Sequence, residues 1–189
     1  MEIIHHHFES LPSTNDWAKE HLASFDRDKM TLITASRQTH GRGQYGKKWQ
    51  TPEAGDSLCC TYAFFVRENQ GEPLSLTHLL ALSLQTVLKE KGVKATIKKP
   101  NDLLVNGKKI AGILCETQSL DPYTAVVMGI GININVSDSF LRAIDQPATA
   151  LSIELKRRED PLQILSRLTT LFIQKLKSSP ASSTNQSPD

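Results

Sequence analysis

Between residues 41 and 49 the chain reads Gly41-Arg42-Gly43-Gln44-Tyr45-Gly46-Lys47-Lys48-Trp49. Three glycines permit close backbone approach to a ligand, and Arg42, Lys47 and Lys48 place positive charge around it, a combination suited to phosphate or carboxylate. The segment fits two nucleotide-binding templates by spacing and fails both by context. As G-x-G-x-x-G it should open the helix of a βαβ unit, yet Trp49-Gln50-Thr51-Pro52 leads into a turn, and no acidic residue follows a second strand at the right distance. As a G-x-x-x-x-G-K-S/T loop it puts Lys48 where a magnesium-binding hydroxyl is needed. Taken alone, a surface loop with solvated charges explains the segment equally well.

Further along, Lys98-Lys99-Pro100-Asn101-Asp102 sits at a strand end and Lys109 begins the next hairpin arm. Asn101, Asp102 and Lys109 are expected on one side of a sheet, the alternative being a charged turn. Gly112-Ile113-Leu114-Cys115-Glu116 and Gly129-Ile130-Gly131-Ile132-Asn133 put glycines inside apolar strands. Glycine weakens a strand unless a ligand or backbone must come close; ordinary bulges are the alternative.

The elements that must position these residues are legible in outline. Ser13 is an N-cap for a helix through Leu22, with Asp16 three residues on as in a capping box, which places Ser13, Thr14 and Asn15 at a helix entrance. Residues 31–35 and 58–66 read as strands flanking a polar stretch from Arg37 to Trp49. Leu76, Leu79, Leu80, Leu84, Val87 and Leu88 form one helical face, stopped at Lys91-Gly92. Asn106-Gly107 is the preferred pair for a tight hairpin between Leu103-Leu104-Val105 and a strand from Lys108 to Thr117. Ala125 to Ile132 supplies another apolar strand, and Asp160-Pro161 opens a helix burying Leu162, Leu165, Leu168, Phe172 and Leu176. The class is α+β, a mixed, mainly antiparallel sheet packed with helices.

A chain of 189 residues, 39% hydrophobic, can bury one core, so one domain over residues 1–177 is expected. Residues 178–189, rich in Ser and Pro, are expected to form a disordered tail. Lys and Arg number 22 against 20 Asp and Glu, which argues against a general nucleic-acid binder. The three cysteines lack zinc spacing and suit reduced thiols in a cytoplasmic protein. Neither a secretory leader nor an apolar stretch of membrane-spanning length is seen. His5-His6-His7 fits a strand from Ile3 to Phe8 better than a metal site, and Trp17, Tyr45 and Trp49 read first as packing aromatics.

Taken in order, Ser13-Thr14-Asn15, the Gly41-to-Trp49 loop, Pro100-Asn101-Asp102, Gly107-Lys108-Lys109, Gly112-Ile113-Leu114 and Gly129-to-Asn133 resemble the catalytic domain of biotin protein ligases, over roughly residues 8 to 155. The resemblance implies a class II aminoacyl-tRNA synthetase-like fold, with biotin and ATP as substrates and magnesium. It implies that biotin carboxylate attacks the α-phosphate to give biotinyl-adenylate, and that a lysine of the biotin carboxyl carrier protein of acetyl-CoA carboxylase then attacks the mixed anhydride. Ser13, Thr14, Asn15, Gln38, Gly41, Arg42, Lys109 and Gly112 would contact biotin. Arg42, Gln44, Lys47, Trp49, Asn101 and Asn133 would lie at the nucleotide. Lys109, Arg42 and Asp102 would carry catalysis, with no resident metal ligand.

The chain departs from the family pattern at Gln44 and Lys47, where arginines are commoner, and at Lys99, where a tryptophan often precedes Pro-Asn-Asp. Lysine lacks arginine's bidentate fork and glutamine lacks its charge, so a looser hold on the adenylate is expected. The reading leaves no winged-helix DNA-binding domain before Ile3 and no full β-barrel after Leu176, and it leaves homodimerisation open. A lipoate ligase-like enzyme, which would carry an Arg-Arg-x-Ser-Gly-Gly-Gly segment absent here, and a non-catalytic biotin-binding module are the competing readings.

Overall fold

A computed structural model of the protein describes residues 1–52, 55–67 and 72–179. Seven strands form one sheet in the order β1-β2-β3-β7-β6-β5-β4: β1 Ile3–Leu11, β2 Met30–Gln38, β3 Ser57–Arg67, β4 Thr96–Lys98, β5 Asp102–Val105, β6 Lys108–Leu120 and β7 Tyr123–Asn133. Only β1 and β2 pair in parallel; the remaining pairs are antiparallel, giving the mixed, mainly antiparallel sheet expected.

Period-two alternation sorts the strand residues between two faces. Leu32, Tyr62, Phe64, Val126 and Met128 face a large core shared with helices α2, Pro73–Glu90, and α5, Pro161–Ser178. Ile33, Ala63, Ala125 and Val127 face the other way, under helix α1, Thr14–His21. The first layer carries most of the stability: each Leu of the α2 stripe, fully buried at Leu80, Leu84 and Leu88, contributes roughly 2 kcal/mol. An exposed Arg167–Glu90 ion pair joins α5 to the end of α2. Two short helices, α3 Asp138–Arg142 and α4 Leu151–Leu155, lie in the connection to α5. No helix among the described residues is long and apolar enough to cross a membrane.

Local signals act as their chemistry dictates. Ser13 caps α1 by accepting from the Asp16 backbone N–H, Asp160 caps α5 by accepting from the Leu162 N–H, and Pro161 occupies the first turn. Asn106 and Gly107 both take positive φ, +50° and +78°, as a type I′ turn requires. His5, His6 and His7 lie within β1, and His5 and His7 both bond the Thr34 hydroxyl.

Four local expectations are corrected. The Asp16 carboxylate does not complete a capping box; it is drawn to Arg42 and Lys19. Leu162 is 70% exposed, because the second position of α5 points outward and the buried stripe starts at Ile164 and Leu165. Tyr45 is 91% exposed at the pocket rim and is not a packing residue, whereas Trp17 does pack, among His6, Phe8, His21 and Phe25. Helix α5 includes Ser178, whose hydroxyl donates to the Gln174 and Lys175 carbonyls; the rest of the expected tail, from residue 180, lies outside the described residues.

Candidate active site

The site is a pocket of about 220 Å³ between the entrance of α1, the glycine-rich loop and the β5–β6 hairpin, floored by β6 and β7. Glycines make the floor. A Cβ at Gly131 would overlap the Trp49 indole, and one at Gly129 would overlap the Asn15 side chain. A Cβ at Gly112 would come within 3.0 Å of Lys109 Cε and 3.4 Å of Trp49. The strand glycines therefore admit site side chains, which answers why residues of weak strand propensity occupy the middle of β6 and β7.

At one end, Ser13, Thr14, Asn15 and Gln38 form a polar corner. Thr14 N donates to Gln38 Oε1 at 2.7 Å, and its hydroxyl lies 3.0 Å from the same oxygen. Thr61 Oγ1, fully buried on β3, stands 2.7 Å from both Thr14 Oγ1 and Asn15 Oδ1, with one proton to share between them. Gln38 belongs to the end of β2 rather than to a loop, which makes its placement rigid.

The loop folds back on itself. Gly43 N donates to Lys47 O at 2.7 Å, Trp49 N donates to Gly41 O at 2.9 Å, and Arg42 bridges Lys48 in antiparallel fashion. Gly41 lies off the pocket, behind Trp49, where a Cβ would collide with the Trp49 carbonyl. The guanidinium of Arg42 engages Asp16, through Nε at 2.9 Å and Nη2 at 2.6 Å, and Glu116, through Nη2 at 3.1 and 2.8 Å. Burial pushes the Glu116 carboxyl up, but hydrogen bonds from Lys19, Asn15 and Arg42 outweigh it and hold the group below the usual carboxylate range. Asp16 is held low in the same way, burial being overcome by Arg42 and Lys19. Gln44, Lys47 and Lys48 line the pocket around this clasp.

At the other end, Lys109 Nζ lies 2.7 Å from Asp102 Oδ1, in a pair only 16% and 20% exposed. The contact is an ion pair by distance, its angle lying outside hydrogen-bond geometry, and Asp102 Oδ1 has no other partner. Lys109 is stapled through its backbone, its N–H donating to Pro147 O and its carbonyl accepting from Thr149 N. Its ammonium also sits 5.8 Å from the Trp49 ring centroid, within cation–π range. Asn101 Nδ2 donates to Ile113 O at 2.8 Å, holding the β5 entrance onto β6. Asn133 is set apart: it is buried, donates to Thr149 O, and lines a cleft of about 20 Å³ beside Trp49 and Lys109.

Behind the pocket, burial pushes the Cys59 thiol up to about 11, with contacts from Thr51, Trp49 and Gln38 offsetting only part of it. It stands as a neutral thiol and offers no nucleophile. Among the described residues, Asp102 is the one carboxylate on the pocket wall, and no group of three or more His, Cys, Asp or Glu is arranged to hold a metal.

A model of the Biotin/lipoate A/B protein ligase family matches residues 7–133. The chain belongs to that family. The matched stretch contains every candidate side chain from Ser13 to Asn133. The bifunctional ligase/repressor BirA of Bacillus spizizenii is 33% identical over 165 residues, covering 86% of this chain and 50% of that protein. A Paracoccus denitrificans protein named as a biotin–acetyl-CoA-carboxylase ligase is 37% identical over 150 residues, covering 74% of this chain and 60% of that protein. Among solved structures, a biotin protein ligase from Aquifex aeolicus in complex with biotin and ATP superposes with a TM-score of 0.73 and 28% identity, covering 94% of this chain and 71% of that one. The chain spans about half the length of the Bacillus relatives.

Of the residues expected at the site, Ser13, Thr14, Asn15, Gln38, Arg42, Gln44, Lys47, Trp49, Asn101, Asp102, Lys109 and Gly112 line one pocket. Gly41, expected at biotin, and Asn133, expected near the nucleotide, lie just behind this pocket. Sequence reasoning missed Thr61, Lys19 and Glu116. Glu116 closes the Gly112-to-Glu116 segment, and its charge inside an apolar strand was the available signal; Thr61 carried none.

Proposed function

We propose that the chain catalyses ATP-dependent attachment of biotin to a specific lysine of the biotin carboxyl carrier protein of acetyl-CoA carboxylase, through biotinyl-adenylate. The observation that carries this reading is the meeting, in one glycine-floored pocket, of a neutral polar corner, a cationic loop and the Lys109–Asp102 pair.

The corner of Ser13, Thr14 and Gln38 supplies donors and acceptors for the ureido ring of biotin, and Trp49 with the bare strand backbone supplies an apolar wall. The biotin carboxylate oxygen attacks the α-phosphorus, and pyrophosphate leaves with the electrons of the broken P–O bond. Two anions must be brought together, and Lys109, Lys47 and Lys48 offset their repulsion and the charge that spreads over the α-phosphate. Asn133 and Asn101 stand toward the nucleotide in this reading. In the second half the carrier amine attacks the acyl carbon, AMP departs, and the amine loses its proton; Asp102 is the group in place to orient it or take that proton. Magnesium fits as part of the MgATP substrate, because a wall with one carboxylate leaves most of its coordination to phosphates and water.

The free cysteines suit the cytoplasm as the compartment of this reaction. The test is incorporation of labelled biotin into a purified carrier domain, with ATP required, Lys109→Ala as control and lipoate as competing acid. Transfer lost in the variant supports the ligase. Tight biotin binding without transfer would leave a binding module, and preference for lipoate would move the chain to the lipoate side of the family.

A further inference from the structure

We propose that Glu116 is a positioning residue that locks the glycine-rich loop to the biotin-binding corner. The inference rests on the ligase reading for its functional consequence, and on geometry alone for the coupling itself.

Glu116 lies on β6, beyond the pocket wall, and ties together two separate pieces, helix α1 through Asn15 and Lys19 and the glycine-rich loop through Arg42. Its Oε2 accepts from Asn15 Nδ2 at 2.9 Å, its Oε1 accepts from Lys19 Nζ at 2.9 Å, and both oxygens accept from Arg42 Nη2. Four donor contacts fall on two oxygens, the full lone-pair capacity of an ionised carboxylate. Asn15 in turn fills the notch over Gly129, and Arg42 opens the loop whose far end carries Trp49 back onto Gly131. One side chain therefore sets the spacing between the α1 entrance and the loop base. Asp16 shares the task, since it also holds Arg42 and Lys19, so the cluster is two cations and two anions with no excess charge. Because the Arg42 guanidinium is committed to these carboxylates, its part in the site is to fix the loop, while the lysines supply the charge that meets phosphate.

A glutamine at position 116 keeps the shape but turns one acceptor into a donor facing other donors. The experiment measures hydrogen exchange at the Gly43 and Trp49 amides, which close the loop base, together with biotin KM, kcat for adenylate formation and adenylate off-rate. In Glu116→Gln the two amides should exchange about tenfold faster, with KM and off-rate rising by a similar factor and kcat changing less than about twofold. Glu116→Asp should recover part of the loss, and it serves as the test protein if Glu116→Gln does not fold. On an Arg42→Gln background the Glu116→Gln change should add little, because both act through one contact. Unchanged loop exchange, a lowered melting temperature with KM unmoved, or additive effects in the double variant would each overturn the proposal. Should the wild-type chain form no adenylate at all, the ligase reading fails while the amide exchange still decides the coupling.

Discussion

Lys109 and Asp102 meet at 2.7 Å because β6 carries one extra residue. The β5–β6 register pairs Asp102 with Gly112 and Leu103 with Ala111, then slips so that Leu104 pairs with Lys109, leaving Ile110 without a partner. Leu104 shares a sheet face with Asp102, two residues before it. In an unbroken ladder Lys109 would stand opposite Val105 and point to the other face. The bulge therefore puts the ammonium, the carboxylate and Gly112 on the pocket side together.

Lys109→Ala is expected to lower adenylate formation by about a hundred- to a thousand-fold, the usual cost of removing a charge that meets a developing anion. The unfolding midpoint should move by only a few degrees. Single-turnover kinetics beside a thermal melt separates the two, and activity retained within a few-fold would remove Lys109 from the chemistry.

The glycine floor can be tested by adding one methyl group. Gly131→Ala should destabilise the fold by about 1–3 kcal/mol by pushing the Trp49 ring aside, and Gly129→Ala should do the same at Asn15. Both should weaken biotin binding more than they weaken folding. Urea denaturation and calorimetric titration report the two quantities; an alanine tolerated in both would mean the overlap relaxes freely.

Thr61 touches no ligand-facing space, yet Thr61→Val should raise biotin KM. Valine keeps the volume but leaves Asn15 Oδ1 without the hydroxyl it accepts from, at a cost of about 1–3 kcal/mol for an unpaired buried group. Unchanged stability would show that Asn15 finds another donor.

Gln44→Arg should slow adenylate release about tenfold, since arginine adds a charge-assisted donor to a loop whose existing arginine is held elsewhere. The readout is the off-rate of preformed biotinyl-adenylate. An equal or faster off-rate would mean the loop's other cations already saturate the phosphate.

Acid should open the clasp. The folded state holds Glu116 ionised below the usual carboxylate range, so near pH 4.5 the unfolded chain binds more protons than the folded one and stability rises with pH. The contribution is complete above the unfolded value and is lost as pH falls through the depressed folded one. Melts of wild type and Glu116→Gln should differ by about 1–2 kcal/mol at pH 6 and converge once the pH has fallen below the depressed folded value. A gap independent of pH would deny the charge its role.

Much of the framework was readable because it depends on near neighbours. The Ser13 cap, the Asn106-Gly107 turn, the Asp160-Pro161 helix start and the alternation along β3 and β7 are set within a few residues. So was the charge and glycine content of the loop. Leu162 and the Asp16 capping box misled for one reason: both were judged by spacing along a helix, while exposure and the pull of Arg42 were decided by what else lay near.

By itself, then, the sequence determined which elements form, which residue types line the pocket, and which family the chain joins, since local backbone preference and motif chemistry travel with the residues. The tertiary structure alone decided which face Lys109 takes, that Arg42 is clasped by Asp16 and Glu116, and that Thr61 stands behind Asn15. These contacts join residues 26 to 101 positions apart, or hang on a one-residue slip between strands. No local pattern encodes such a distance; it follows from the pairing of β3, β7 and β6 across the sheet.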